Sequence, residues 1–405
     1  MSLLKFALTL SIALLFSLSI FANQNDLDLV ERKFIDFYKN KNFDGANNIS
    51  EDYLELSNKY LQSNQNDLGI VYYNVGSLKL ELSEYFLAEK YFKKSINIFT
   101  EVLNTSLKNL EQIEKLEKIL NDWDTYTAMD YYGLANNNLA LLYEKIGELD
   151  NALIHYDEFY RSISNLHEDR AHYSFFVYYN NTGNIYMHQG RYEEAEINLN
   201  ESLYIAEQIY EDNNIKIWSV LNSIGLNFLN QRKEYEAAKI FERAWEIVEY
   251  NEVQYPDYDF RYYWAKTFHN IAAQWQIHAE KAQDYNMPKE KIDEFYMLAF
   301  HHGNESLKIK EEIYGKNHIS IANGYQNLSH YHLMLFNPDE AIKYANKALE
   351  IYKFNYGTTN HINISSVYSN LGHAYANGYQ DYDKSISYHE KALNIGFNTL
   401  PSDHN

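Results

Sequence analysis

The 405-residue chain contains no cysteine, which excludes disulfides, thiol nucleophiles and Cys-ligated metals. Proline is scarce at 4 residues and glycine modest at 15, while 46% of residues are hydrophobic. That balance suits a nearly all-helical protein and argues against disorder. Basic residues are outnumbered, 35 Lys and Arg against 56 Asp and Glu, for a net charge of −21. So acidic a chain has no surface for neutralising phosphates, so nucleic acid and anionic membranes are not expected partners. Catalytic signatures are missing too: there is no His-Glu-x-x-His, no Gly-rich phosphate loop and no Gly-x-Ser-x-Gly. His301-His302 falls on a helix and reads as surface rather than as a metal pair. No catalytic residue, metal ligand or cofactor is therefore assigned.

One long apolar run occurs, Phe6 to Phe21, preceded by the single charge Lys5 and followed by the small residue Ala22. Met1 to Ala22 reads as a secretory leader, with an uncleaved membrane anchor as the alternative. Ile20 is bulkier than the small residue such a cleavage site usually takes.

What fills the rest is a repeat. A first helix carries a small residue one place after an aliphatic one, then a bulky residue three further on. After a short turn, the second helix carries a small residue near its start and another seven positions later. Small residues there let two helices approach closely. Val75-Gly76 pairs with Ala88 and Ser95, Leu139-Ala140-Tyr143 with Ala152, and Thr182-Gly183-Tyr186 with Ala195 and Ser202. Ile224-Gly225-Phe228 pairs with Ala237 and Ala244, and Ile271-Ala272-Trp275 with Ala299 and Ser306. Leu328-Ser329-His332 pairs with Ala341 and Ala348, and Leu371-Gly372-Tyr375 with Ser385 and Ala392. A weaker copy comes first, with Ala46 and Tyr53 in its second helix and a degenerate first helix near Val30 to Tyr38. Gly315 and Gly357, 42 residues apart, look like helix stops. A period of that length built from two amphipathic helices implies a solenoid.

Two insertions break the spacing. Leu103, Leu107, Leu110, Ile113, Leu116 and Leu120 predict one extra amphipathic helix within residues 100–127 that packs back on the solenoid. A second insertion, at 278–292 with Met287-Pro288, is expected to lengthen an inter-helix loop.

These features resemble the tetratricopeptide-repeat family, in the longer-period form found in kinesin light chains and many bacterial multi-repeat proteins. Leu139 to Tyr143, Gln189 to Glu196 and Lys391 to Ile395 carry the resemblance, with Tyr314 to His318 and Tyr356 to His361 similar to its inter-repeat linkers. It covers roughly Val30 to Ile395. The resemblance implies an all-α superhelical solenoid of about eight helix pairs. Residues 1–22 are then a leader or anchor, 23–396 the solenoid and 397–405 a short tail.

Just before the aliphatic–small pair, one slot holds Asn74, Asn138, Asn181, Asn270, Asn327 and Asn370, with Ser223 the exception. Asn is a mediocre helix former, so its return demands a reason. In the resembled family this slot lines the concave groove, where an amide both donates to and accepts from a peptide backbone. Asn137, Asn180 and Asn222, one place earlier, suggest a second ring, and Asn184, His188, His330 and His373 are candidates for the same groove. A structural reading stands beside this one: the amides bond a neighbouring repeat and fix the stack. First-helix groove positions read as Asn, His, Tyr and aliphatic, so an acidic C-terminal tail is not the expected ligand.

The function expected is an exported, periplasmic or secreted scaffold that binds a protein or extended peptide in its groove. The alternative is the sensor or regulatory repeat part of a signalling system whose effector module lies on another chain. The last second helix, with Ile386, Leu393 and Ile395, is expected to leave an apolar face that self-association, a partner or further chain would cover.

Overall fold

In the computed structural model residues 25–399 are described, apart from 109, 168, 357 and 360. The leader at Met1–Ala22, the stop at Gly357 and most of the tail lie outside them. Among the described residues there is no strand. The chain divides into two compact units, Met1–Gln189 and Gly190–Asn405.

The first unit holds α1 (25–39), α2 (Phe43–Tyr60), α3 (Gln65–Glu81), α4 (Tyr85–Ser106), α5 (Gln112–Asn121), α6 (Trp123–Ile146), α7 (Leu149–Leu166) and α8 (Tyr173–His188). The second holds α9 (Tyr192–Ile209), α10 (Ile215–Asn230), α11 (Glu234–Gln254), α12 (Arg261–Asp284), α13 (Lys289–Tyr314), α14 (Ile319–Met334), α15 (Pro338–Tyr356), α16 (Ile362–Tyr379) and α17 (Tyr382–Thr399). The first helices of the repeats are α1, α3, α6, α8, α10, α12, α14 and α16. The weak opening copy is a full pair: Phe34 of α1 packs on Tyr53 of α2, ring centroids 5.0 Å apart.

The small residues do what their spacing predicts, and the structure adds what they make room for. A Cβ on Gly76 would lie 2.9 Å from Phe92, and one on Gly225 only 2.3 Å from Phe241. The missing side chain is filled by a ring from the second helix. Seryl hydroxyls near the end of the contact clip the pair together: Ser95 Oγ donates to the Gly69 carbonyl at 2.9 Å and Ser306 Oγ to that of Ala265 at 2.7 Å.

Every turn from a first to a second helix passes through one left-handed residue: Lys41, Ser83, Gly147, Gly190, Arg232, Asn286, Phe336 and Gln380. The next amide then reaches back five residues, Glu84 N to Lys79 O and Glu148 N to Tyr143 O, both at 2.8 Å. That bond closes a Schellman turn and satisfies a carbonyl the helix end would leave bare. Only two of the eight turns use glycine, so six accept the left-handed strain of an ordinary residue.

The extra helix near residues 100–127 exists but is shorter than its apolar pattern implied. Leu103 belongs to α4, which runs on to Ser106. The residue of α5 that reaches the core is Ile119, against Phe99, Leu103 and Met129, whereas Leu116 and Leu120 are exposed. The second insertion requires a correction. It lengthens helices rather than a loop, because α12 reaches Asp284 and α13 starts at Lys289. Ala279, Ala282 and Tyr296 are buried along this extension, on either side of an exposed turn that holds Met287-Pro288. Lys281 and Arg232 tie it to the preceding hairpin through Glu234 at 2.5 Å and Asp284 at 2.8 Å. On α17, Ile386 and Leu393 are exposed, while Ile395 is buried.

Exchanging residues at the left-handed turns isolates backbone strain. Nothing lies within 4 Å of a Cβ placed on Gly147. Gly147→Ala should therefore lower unfolding stability by about 1 kcal/mol, and Ser83→Gly should raise it by a similar amount. Gly225→Ala, which drives a methyl into Phe241, should cost about 1–3 kcal/mol. Thermal unfolding followed by circular dichroism checks the order; equal midpoints for all three would refute this account of the pairs.

Candidate binding groove

The amide slot is where successive first helices meet. In the first unit Asn138 of α6 donates back to α3, to Ser77 Oγ at 3.1 Å and Tyr73 Oη at 3.4 Å. Asn137 donates to Asn138 Oδ1 at 3.2 Å and accepts from Asn181 of α8 at 3.5 Å. In the second unit Asn270 of α12 donates to Asn222 Oδ1 of α10 at 2.5 Å, and Asn222 Nδ2 donates to the Trp218 carbonyl at 2.8 Å. Asn370 of α16 donates to the Gln326 carbonyl of α14 at 3.3 Å. Four of the slot residues thus bond the first helix of the repeat before. Asn74 lies against the Tyr53 hydroxyl of α2.

The remaining candidates are less uniform. Asn180 has a buried Oδ1 with no hydrogen bond, and Asn184 and Asn327 are half-buried. His188 is exposed in the last turn of α8 and joins none of the amide pairs. His330 is half-buried, with an unbonded Nε2. His373 is exposed, with its ring 4.8 Å from that of His389. Within each unit the first helices thus carry side-chain amides at the slot, except at Ser223, and several of them are committed to the stack. Sequence reasoning did not find Tyr73, Ser77 and Gln326, the groups that accept from the ladder.

Six histidines share one electrostatic trait. Burial, as the leading cause, holds His155, His278, His302, His318, His330 and His361 below the ordinary imidazole value. Two of them also start helices: His318 Nδ1 accepts from Ser320 N and His361 Nδ1 from Asn363 N, both at 3.2 Å. That geometry needs a bare Nδ1, hence a neutral ring. Among the described residues no three His, Cys, Asp or Glu side chains group to hold a metal, and no helix is long and apolar enough to cross a membrane.

The tetratricopeptide-repeat family model matches residues 174–249 and 292–353. Residues 174–249 and 292–353 carry tetratricopeptide repeats. No curated protein matches it. Among solved structures, one similar to the chain is a signal-transduction ATPase from Pyrococcus horikoshii with a tetratricopeptide repeat sensor, 13% identical, with a TM-score of 0.49 over 93% of this chain and 48% of that one. Another is a Rap protein complexed with competence and sporulation factor, 13% identical, TM-score 0.48, covering 94% of this chain and 98% of that one. A third is a tetratricopeptide repeat protein from Parabacteroides merdae, 14% identical, TM-score 0.45, covering 82% and 94%. At these identities and TM-scores none of them carries an argument about ligand or role.

Acid should loosen these helix pairs. A depressed imidazole binds fewer protons in the folded than in the unfolded chain, so its stabilising effect is complete above the ordinary value of 6.5 and is lost as pH falls through the folded value. The thermal midpoint should hold steady above about pH 7 and fall between about pH 6.5 and 5, before most carboxylates titrate. His361→Asn keeps a capping acceptor, as Asn214 does on α10, and should flatten part of that fall. A midpoint that does not move over this range would contradict the assignment.

Proposed function

We propose that the first helices form a groove that binds an extended peptide or a segment of a partner protein, without catalysis. The observation that carries this reading is the repeated amide slot itself. An asparagine at one position of successive first helices offers donors and acceptors at the helical-repeat spacing, which suits the alternating groups of an extended backbone. Part of the row is already used within the stack, so in the second unit the ligand-reading member is Asn327, which is half-buried and joins none of the amide pairs. His330, half-buried three residues further along α14, belongs with it.

The same proposal includes export by the segment Met1 to Ala22, placing the repeats in a periplasm or outside the cell. Self-association is proposed through α17, where Ile386, Leu393 and Phe397 are exposed along one helix.

The test is capture from envelope and secreted fractions with the intact protein and with an Asn327→Ala variant of unchanged helix content. A partner held by the intact protein and weakened at least about tenfold in the variant, the size of about one lost hydrogen bond, is the expected result. The same partner held equally by both would place binding elsewhere.

A further inference from the structure

Of the eight left-handed residues that turn a first helix into a second, two are glycine, five are polar and one, Phe336, is large and apolar. Its φ is 58° and its side chain is 67% exposed. A bulky residue is strained in that region of backbone, and an exposed ring adds the cost of apolar surface in water. The turn itself needs neither. Gly147 and Gly190 make the same reversal, with nothing within 4 Å of where a side chain would begin. Strain that a glycine would remove points to a use for the side chain.

The ring stands beside a recess of about 150 Å³, lined by Leu333, Phe336, Pro338, Ala374, Asn377 and Gly378. Its walls come from the end of α14, the start of α15 and the last turns of α16. A Cβ on Gly378 would lie 2.3 Å from that of Pro338, so the end of α16 comes down directly on the start of α15. The Tyr379 hydroxyl donates to Asp339 Oδ1 and holds that contact. From the start of α13 the Lys289 ammonium lies 4.9 Å from the centre of the Phe336 ring, with its charge met by Asp293.

No titratable side chain lines the recess, so a charged group would enter it without a counter-charge. An apolar cavity of this size holds one benzene-sized group. The recess also continues the row of first-helix candidates. Leu333 is three residues beyond His330 on α14, and Asn377 is four beyond His373 on α16, so each shares a helix face with its candidate.

We propose that this recess takes one apolar side chain, the size of leucine or phenylalanine, from the peptide that the first helices bind; the peptide itself rests on the groove reading above. The Phe336 ring closes over that side chain. The Asn377 carboxamide, exposed beside it, serves the ligand's backbone. Amides that read backbone treat every sequence alike, whereas a pocket for a side chain selects among them.

The experiment follows the methyl resonances of Leu333 and Ala374 in the intact, methyl-labelled chain. N-acetyl-leucine amide, N-acetyl-phenylalanine amide and N-acetyl-aspartyl amide are added in turn; they share a backbone and differ in side chain. Both resonances should shift saturably with the leucine or the phenylalanine amide, half-complete at about 1–10 mM, and not with the aspartyl amide. Phe336→Gly should weaken that binding at least about fivefold. Its thermal midpoint should stay level or rise, because glycine takes left-handed backbone without strain. A variant no less stable that binds less well separates a binding role from a structural one. Resonances that ignore both apolar amides, or answer the aspartyl amide equally, would overturn the proposal. So would Phe336→Gly that binds as tightly as the intact protein. Shifts that appear with protein concentration alone would give the recess to a second copy, against the proposal. If Phe336→Gly is less stable, the comparison of the three amides on the intact chain still decides. An empty recess leaves the Asn327→Ala capture result untouched, whereas a filled recess with capture indifferent to Asn327 removes the groove and not the recess.

Discussion

A side-chain amide that bonds the first helix of the preceding repeat is the interaction on which the exposed face depends. Helix pairs in a solenoid touch only their neighbours, so their relative register is set locally or not at all. Apolar packing alone is tolerant of small slips, whereas a buried amide must find its partner or remain unsatisfied. Asn270 on Asn222, both buried, and Asn138 on Ser77 and Tyr73 supply that constraint within the second and first unit respectively. These bonds fix the positions of the side chains on this face of the first helices.

The amides reach because the helices of each pair are close. Gly76 and Gly225 admit the rings of Phe92 and Phe241, and the turns reverse the chain in a single left-handed step. Six of those steps use ordinary residues, so the turn geometry is imposed by the pair packing rather than by local preference. Where the pairs lengthen, at α12 and α13, the same logic continues with extra turns of helix and ion pairs to Glu234 and Asp284.

Much of this was legible in the residues. Small side chains at fixed offsets located both helices of every pair but the first, because a close helix contact leaves no room for anything else. The Asn slot was visible for a similar reason, being polar on an otherwise apolar helix. Turns at Ser83, Arg232 and Phe336 were not visible as left-handed, since nothing in those residue types favours the conformation. Met287-Pro288 read as a loop signal, yet proline is tolerated just ahead of a helix, and α13 starts at the next residue. Nor does a sequence say whether an amide faces a ligand or its neighbour. Asn138 and Asn327 look alike until their surroundings are known.

A double-mutant cycle on Asn222 and Asn270 tests the ladder most directly. Each is replaced by Ala, singly and together, and unfolding is followed in denaturant. If the amides fix one first helix to the next, the pair should show a coupling of about 0.5–1.5 kcal/mol, with the double variant losing less than the sum of the singles. Strictly additive losses would mean that the amides do not act on each other, and that packing alone sets the register of the repeats.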